Sequence, residues 1–156
     1  MFDERLLDKK KMSELGYLGE QVTFKVLKEK FGSDVKFSES AWDSEKDMTI
    51  NGVKCEVKTQ VPFLTQNSFA IKESQHQKCA EAEVLIFVEI PYNNRYGKND
   101  AIKVWLSNQA DRHGRKIHTK DGRDMILYHR NQLKKMATIR DPELCAKMER
   151  LTQSQV

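Results

Sequence analysis

The sequence predicts an α/β or α+β sandwich in which helices flank a mixed β-sheet. Three observations support this fold class: a helical pattern of apolar residues ending near residue 31, a series of short β-branched and aromatic runs separated by turn signals, and a second helical pattern after residue 141. Helices on either side of a group of strands bury their apolar faces most simply against a sheet.

The composition is that of a globular protein with a heavily charged surface. Hydrophobic residues make up 38% of the 156 residues and charged residues 32%, which favours one domain, 1–156, with a core at about 13–130 and a C-terminal helix at about 141–153. The sequence contains no apolar run long enough for a membrane span and no signal-peptide pattern, so we expect a cytoplasmic protein without a membrane partner. The formal net charge of +4 mildly favours an anionic partner.

The first predicted helix runs from Ser13, a suitable N-cap, to about Phe31, with Gly32 as its stop. One face of this helix is apolar and comprises Leu15, Leu18, Gly19, Val22 and Val26. A second, partly apolar arc contains Glu20 at its centre. Because a carboxylate is costly to bury without a positive or hydrogen-bonding partner, Glu20 requires an explanation.

The middle of the chain reads mainly as strands. The predicted strands are VKFSES at 35–40, a hairpin at 47–58, SFAIK at 68–72, VLIFVEI at 84–90, AIKVWL at 101–106 and, as the last strand, MILYH at 125–129. A short helix after SFAIK begins with Ser74 and Gln77 in capping-box spacing, and PYNNRYGKND at 91–100 is predicted to be a surface loop. Asp141 and Pro142 cap the final helix, whose apolar stripe is Leu144, Met148 and Leu151.

The hairpin register follows from its turn. Asn51-Gly52 is the strongest signal for a two-residue type I′ turn, because both central residues need positive φ. This turn pairs Met48 with Cys55 and places Asp47 opposite Glu56, with Lys58 on the same face of the strand as Glu56. The apolar residues of the hairpin all point to the opposite side, which we expect to face the core.

Two carboxylates facing each other across a sheet repel, at a cost of about 0.2–1 kcal/mol. A divalent cation reverses the sign of this interaction, since Mg²⁺ is commonly held by one or two carboxylates together with water and substrate phosphate. Asp47, Glu56 and Lys58 therefore suit a phosphodiester hydrolase, in which Lys58 positions the attacking water. The alternative is an exposed polar face carrying ordinary surface ion pairs.

These residues resemble a known family. Gly16 and Gly19-Glu20 on a first helix, Asp47 at the end of one strand and Glu56-Val57-Lys58 on the next are similar to the PD-(D/E)xK nuclease superfamily, which includes restriction-endonuclease-like nucleases and archaeal-type Holliday junction resolvases. The resemblance covers Ser13 to about Ile90, in the order helix, strand, hairpin, strand, helix, strand. Lys46 replaces the proline for which the motif is named.

The resemblance implies a restriction-endonuclease-like core and a role for each matching residue. Asp47, Glu56 and the Val57 carbonyl are expected to bind Mg²⁺, with Mn²⁺ as an alternative ion. Lys58 is expected to activate or orient water, and Glu20 to assist through the water shell of the metal. The implied activity is Mg²⁺-dependent endonucleolytic hydrolysis of DNA. The alternatives are a structure-selective junction-resolving or repair nuclease, and a non-catalytic nucleic-acid-binding module of the same fold.

Other residues are candidates for binding the nucleic acid. Gln75, Gln77 and Lys78 lie where some relatives place a residue near the scissile phosphate, although an exposed helix face would also explain them. A basic segment forms a candidate phosphate clamp or, alternatively, a solvated loop: Arg112, Arg115, Lys116, Lys120 and Arg123. DNA is the expected partner and RNA remains an alternative. A homodimer would suit the cutting of two strands, with the C-terminal apolar stripe either forming that interface or closing the core.

Overall fold

The computed structural model describes residues 4–32, 35–37, 48–109 and 112–153. Its helices are α1 (Glu4–Phe31), α2 (Glu73–Glu81) and α3 (Pro142–Gln153). Its strands are β1 (Val35–Phe37), β2 (Met48–Ile50), β3 (Val53–Gln60), β4 (Ser68–Lys72), β5 (Val84–Glu89), β6 (Tyr92–Asn94), β7 (Gly97–Asn99), β8 (Ile102–Asn108), β9 (Arg115–His118), β10 (Asp124–His129) and β11 (Lys134–Ile139).

The main sheet is mixed, as predicted, and helices flank it. It has six strands in the order β1-β2-β3-β5-β8-β11, of which β3 and β5 are parallel and the other neighbours antiparallel. A second sheet has the order β4-β10-β9, and β6 and β7 form a separate hairpin. The predicted α/β or α+β class is therefore confirmed at the level of a mixed sheet flanked by helices.

Each face of the main sheet has its own apolar cluster. On one face, α1 and α3 pack against β3, β5 and β8, with Leu27, Ile86 and Met148 fully buried. On the other face, β4, β10 and α2 cover β5, where Phe69 stacks on Phe87 with ring centroids 4.8 Å apart. The strands in the middle are consequently buried on both faces, which explains the nearly continuous apolar sequence of β5.

Helix α1 follows the predicted apolar face but begins earlier than predicted. Leu15, Val22 and Val26 are buried, and the helix ends before Gly32, which has φ +65°. Ser13 lies inside the helix and not at its N-cap, because the charged residues from Glu4 onward are helical too. Glu, Lys and Leu have high intrinsic helix propensity, so a segment rich in them can be helical without the apolar stripe from which a helix is predicted.

Three other predictions of local structure are wrong. Helix α2 begins at Glu73 with Lys72 as N-cap and no side-chain capping bond, so the Ser74 capping box does not form. The expected loop at 91–100 contains the β6-β7 hairpin, whose turn is tightened by Tyr96 N–H donating to Asn94 Oδ1 at 2.9 Å. The strand at MILYH is not the last, since β11 pairs antiparallel with β8 at the edge of the main sheet.

The C-terminal helix closes the core. Asp141 Oδ1 accepts hydrogen bonds from the backbone N–H groups of Glu143 at 3.1 Å and Leu144 at 3.2 Å, which confirms the predicted cap. Met148 is fully buried, and the rest of the predicted stripe packs on the same cluster as α1. This stripe is therefore part of the core of the chain, and a homodimer would need another surface. Within the described residues, no helix is sufficiently long and apolar to cross a membrane.

Candidate active site

The β2-β3 hairpin has the predicted turn and register. Asn51 and Gly52 have φ values of +53° and +79°, as a type I′ turn requires. The pairs Ile50–Val53, Thr49–Lys54 and Met48–Cys55 are those predicted. Asp47 lies outside the described residues, so its pairing with Glu56 stays a prediction.

Strand β3 presents different chemistry on its two faces. Cys55 and Val57 pack into the apolar cluster beneath α1, as predicted. Glu56, Lys58 and Gln60 point to the other face, which β4 and α2 partly cover, while Lys54 on the same face is exposed. Glu56 is 7% exposed, Lys58 and Gln60 are half-buried, and the Gln60 amide bonds to the backbone of Ala70 in β4.

Lys58 has a defined partner on α2. Its Nζ donates a hydrogen bond of 3.1 Å to Gln75 Oε1. Gln75 was predicted to contact a phosphate, and the structure places it beside the lysine amine. Gln77, on the same helix, donates instead to Glu81 Oε1 at 3.4 Å. The side chain of Lys78 lies outside the described part of the structure.

The carboxylate of Glu56 lies close to a second lysine. Lys54 Nζ is 3.5 Å from Glu56 Oε1, and the Lys54 side chain is 45% exposed while that of Glu56 is 8% exposed. Lys54, Glu56 and Lys58 alternate along one face of β3, so the buried acid is placed between two amines. An exposed lysine at this distance is held loosely, and a cation could displace it.

The backbone of β3 directs one carbonyl away from β5. Gln60 O accepts a 3.1 Å hydrogen bond from Ile90 N–H, so the even-numbered residues of β3 turn their backbone groups toward β5. Alternation along the strand then turns the Val57 carbonyl toward the side on which β2 lies. The described part of β2 ends at Met48, opposite Cys55, and Val57 lies beyond it.

Glu20 approaches β3 from the opposite face. Its neighbour Gly19 is buried against Thr59, and a Cβ at position 19 would overlap the Thr59 hydroxyl. Glycine therefore brings the backbone of α1 into contact with β3 next to Lys58. Glu20 itself is half-buried and lies on the α1 side of the sheet, whereas Glu56 and Lys58 lie on the α2 side. The described structure brings Glu56 and Lys58 to one face of β3, where Gln75 contacts Lys58, and places Glu20 on the helix that packs on the other face.

No group of three or more His, Cys, Asp or Glu side chains is arranged to hold a metal ion in the described residues. The predicted metal site includes Asp47, which those residues do not cover. The three cysteines, Cys55, Cys79 and Cys145, are free and buried, as expected. Burial raises the pKa of the Cys55 thiol to about 11; a backbone hydrogen bond at Ile50 opposes this shift and the charge of Glu56 adds to it.

The predicted basic clamp divides into two unlike parts. Lys116 pairs with Glu73 at 2.7 Å, and Arg123 pairs with Asp121 at 2.9 Å, so carboxylates neutralise both charges. Arg115 donates to the Gln66 amide at 2.6 Å, and Arg112 donates to the carbonyl of Ala82, so neither of these bonds involves a carboxylate. Lys120 is exposed. Arg115–His118 of this segment form strand β9, whereas Lys120 and Arg123 are exposed in the connection between β9 and β10.

Sequence reasoning missed a buried ionic cluster on the same face of the sheet. Glu89, at the end of β5, is fully buried and accepts hydrogen bonds from both terminal nitrogens of Arg130, at 2.7 and 3.1 Å. Trp105 and Asn99 donate to the same carboxylate at 3.0 and 3.3 Å. Glu89 interrupts an otherwise apolar run in the sequence, which was the available signal for a paired buried acid.

Searches against protein-family models, curated proteins and solved structures find no match to this chain.

Proposed function

We propose that this chain is a Mg²⁺-dependent endonuclease that hydrolyses DNA phosphodiester bonds. The observation that carries the proposal is the placement of Glu56 and Lys58 side by side on one covered face of β3, with the Lys58 amine held by Gln75 at 3.1 Å. A buried carboxylate beside an oriented amine is a costly arrangement for stability alone and is typical of a site that binds charge.

The donor set suits a magnesium ion. Glu56 supplies a carboxylate oxygen, the Val57 carbonyl is turned away from β5, and extending the observed hairpin register by one pair adds Asp47 opposite Glu56. Hard oxygen donors of this kind suit Mg²⁺ and also accept Mn²⁺. When bound, such an ion supplies Lewis acidity to the phosphoryl group and lowers the pKa of a water.

The residues of the chain supply the remaining functions. Lys58 orients the attacking water and stabilises negative charge on the phosphate, because its ammonium is fixed in direction by Gln75. Glu20, on the helix that contacts β3 through Gly19, assists through the water shell of the metal, the role that the family resemblance implies. The chain order α1, β1, the β2-β3 hairpin, β4, α2 and β5 is also the order expected for the PD-(D/E)xK superfamily, which supports a restriction-endonuclease-like core.

The test is cleavage of supercoiled plasmid, a synthetic four-way junction and single-stranded DNA, each with Mg²⁺ and with EDTA. Glu56→Gln and Lys58→Met should each lower the rate by about 10²–10⁴-fold, the range for losing a group that acts in the transition state. Lys135→Met, on the exposed edge strand β11, is the matched control and should cleave at the wild-type rate.

The choice of substrate separates the two enzymatic alternatives. Preferential cutting of the junction would identify a structure-selective resolvase, and cutting of an RNA strand would extend the substrate beyond DNA. Metal-dependent cleavage of none of these substrates, or cleavage undiminished in both variants, would overturn the proposed activity and favour a non-catalytic binding module.

A further inference from the structure

A polar cavity lies between α2, the segment that joins β8 to β9, and β10. Its volume is about 430 Å³, within the range of about 300–1,000 Å³ that small ligands occupy. The polar side chains that line it belong to His76, Gln109, Arg112, His113 and Tyr128. His76 directly follows Gln75, so the cavity and the Glu56–Lys58 centre flank the same helix.

Hydrogen bonds hold the walls of this cavity in place. Gln109 Nε2 donates to the carbonyl of Ala80 at 2.8 Å, and Arg112 donates to that of Ala82, which ties the segment after β8 to the end of α2. Gly114 then passes so close to β10 that a Cβ would overlap Ile126 and come within 3.3 Å of the Tyr128 ring. Gln109, Arg112 and Gly114 therefore connect this side of the cavity to α2, Ala82 and β10.

Arg112 gives the cavity a positive charge. Its Nη1 is inaccessible to water and has no hydrogen-bond partner within the described part of the chain. Burial lowers the pKa of the Arg112 guanidinium from its ordinary value, but an arginine remains charged in proteins. Among the described residues that line the cavity there is no Asp or Glu, in contrast to the carboxylates beside Lys116 and Arg123.

The other polar groups of the cavity can donate hydrogen bonds to the same ligand. His76 Nδ1 lies 3.3 Å from Tyr128 Oη, so the imidazole and the hydroxyl form one connected pair. His113 is exposed on the opposite wall, where its backbone N–H and carbonyl are both held by the Gln132 amide, at 2.6 and 3.0 Å. A guanidinium, two imidazoles and a phenol are donors that match a tetrahedral oxyanion.

We infer that this cavity binds a phosphate group through Arg112, His76, His113 and Tyr128. Desolvation makes a partly buried guanidinium less favourable, and a phosphate bound in the cavity offsets that cost by its charge and by hydrogen bonds with the polar groups that line it. That the phosphate belongs to a DNA backbone rests on the proposed function, because the cavity adjoins the helix that carries Gln75. The cavity would then hold a phosphate beside the one that is cleaved.

The direct test is an NMR titration of the imidazole resonances of the wild-type protein. Inorganic phosphate, compared with sodium chloride at equal ionic strength, should shift His76 and His113 and leave His118 unmoved. His118 is a matched internal control, since it is exposed on β9 and its Nδ1 lies 2.7 Å from Asp124 Oδ1 on β10. Equal shifts of all three histidines, or none, would overturn the phosphate site.

A second titration with a short single-stranded oligodeoxynucleotide identifies the source of the phosphate. Shifts of His76 and His113 by both ligands support a backbone phosphate, whereas shifts by inorganic phosphate alone support the cavity and overturn its assignment to DNA. Arg112→Gln should weaken phosphate binding by about tenfold, the loss of one charge-assisted bond, while Arg123→Gln should stay within about twofold of wild type.

Failure of this site and failure of the proposed nuclease are distinguishable. Glu56→Gln should bind the oligodeoxynucleotide at the cavity as the wild type does. If the wild type binds the oligodeoxynucleotide at the cavity but cleaves no DNA, the proposed nuclease activity is overturned and the phosphate site stands. If the wild type cleaves DNA but His76 and His113 do not shift, the phosphate site is overturned and the nuclease activity stands.

Discussion

Two buried carboxylates on adjacent parallel strands, Glu89 on β5 and Glu56 on β3, have very different surroundings. Glu89 is fully buried, and Arg130 engages both of its oxygens while it also contacts the rings of Phe69 and Trp105, each 5.3 Å from the guanidinium carbon. Glu56 is 7% exposed and has beside it the exposed Lys54, 3.5 Å away. The arginine partner of Glu89 is largely buried and packed on aromatic rings, whereas the Lys54 side chain beside Glu56 is 45% exposed.

The difference indicates different roles. A buried acid held by an arginine in bidentate geometry has its charge compensated permanently, so it serves the structure. A buried acid next to a solvent-exposed lysine keeps the capacity to exchange that partner for a cation, as the proposed function requires. The following experiments rank the two sites by how much stability and how much activity each provides.

The largest effect on stability is expected at Glu89. Arg130→Met leaves the Glu89 charge buried without its partner and should lower the free energy of unfolding by about 3–5 kcal/mol, measured by urea denaturation. Replacing both residues together, as Arg130→Met with Glu89→Leu, should recover most of this loss because no charge remains buried. Arg140→Met, which removes an exposed pair with Asp100, is the control and should unfold near the wild-type midpoint. A midpoint for Arg130→Met equal to that of the control would assign the cluster no structural role.

A smaller effect, and one that depends on metal, is expected at Glu56. Without Mg²⁺, Glu56→Gln should unfold at or above the wild-type urea concentration, since it removes a desolvated charge. Mg²⁺ at one hundred times its Kd should stabilise the wild type by about 2.7 kcal/mol and leave the variant unchanged. Glu81→Gln, on the exposed side of α2, should respond to Mg²⁺ like the wild type. Equal stabilisation of wild type and Glu56→Gln would show that the ion binds elsewhere.

The effect expected at Gln75 is smaller and concerns activity alone. Gln75→Ala removes the acceptor of the Lys58 amine and should lower kcat by about tenfold with KM unchanged, because the lysine loses its orientation but keeps its charge. Gln77→Ala, on the same helix but bonded to Glu81, is the control and should keep the wild-type kcat. An increase in KM for Gln75→Ala would instead place Gln75 in substrate binding, as the sequence suggested.

A pH dependence of stability is expected from Cys55, the neighbour of Glu56. Its thiol has a pKa of about 11 in the folded chain against 9.0 ordinarily, so the folded state retains its proton longer than the unfolded state does. This contribution to stability is present below pH 9.0 and is lost as the pH rises toward 11. The urea midpoint of Cys55→Ala should therefore fall less steeply over this range than that of the wild type. Parallel slopes for the two proteins would contradict the elevated pKa.

Local signals in the sequence were sufficient for several parts of the fold. The Asn51-Gly52 turn fixed the register of β2 and β3, the apolar run identified β5, and Asp141 marked the start of α3. In each case a short segment determines its own geometry, through a positive φ, a side-chain cap or burial on both faces. The relative placement of Glu56 and Lys58 followed from the same alternation along one strand.

What the sequence did not reveal depends on contacts between distant segments. An exposed polar face was one of two interpretations of β3, but β4 and α2 contact that face through Gln60 and Lys58, and nothing within residues 53–60 encodes those contacts. Strand β11 begins with two lysines and pairs only at an edge, so its pattern is weak. The ion pair of Lys116 and the hydrogen bond of Arg112 likewise depend on Glu73 and Ala82, far away in the chain.

The Gln60 side chain has a consequence for how the protein avoids self-association. Strand β4 lies at the edge of its sheet, and such an edge invites pairing with another chain. At Ala70 the Gln60 amide both donates to the carbonyl and accepts from the N–H, at 2.7 Å each, as a neighbouring backbone would. The Gln60 amide thereby occupies the backbone N–H and carbonyl of Ala70 at the centre of β4, so these two groups are not available to pair with a strand of another chain.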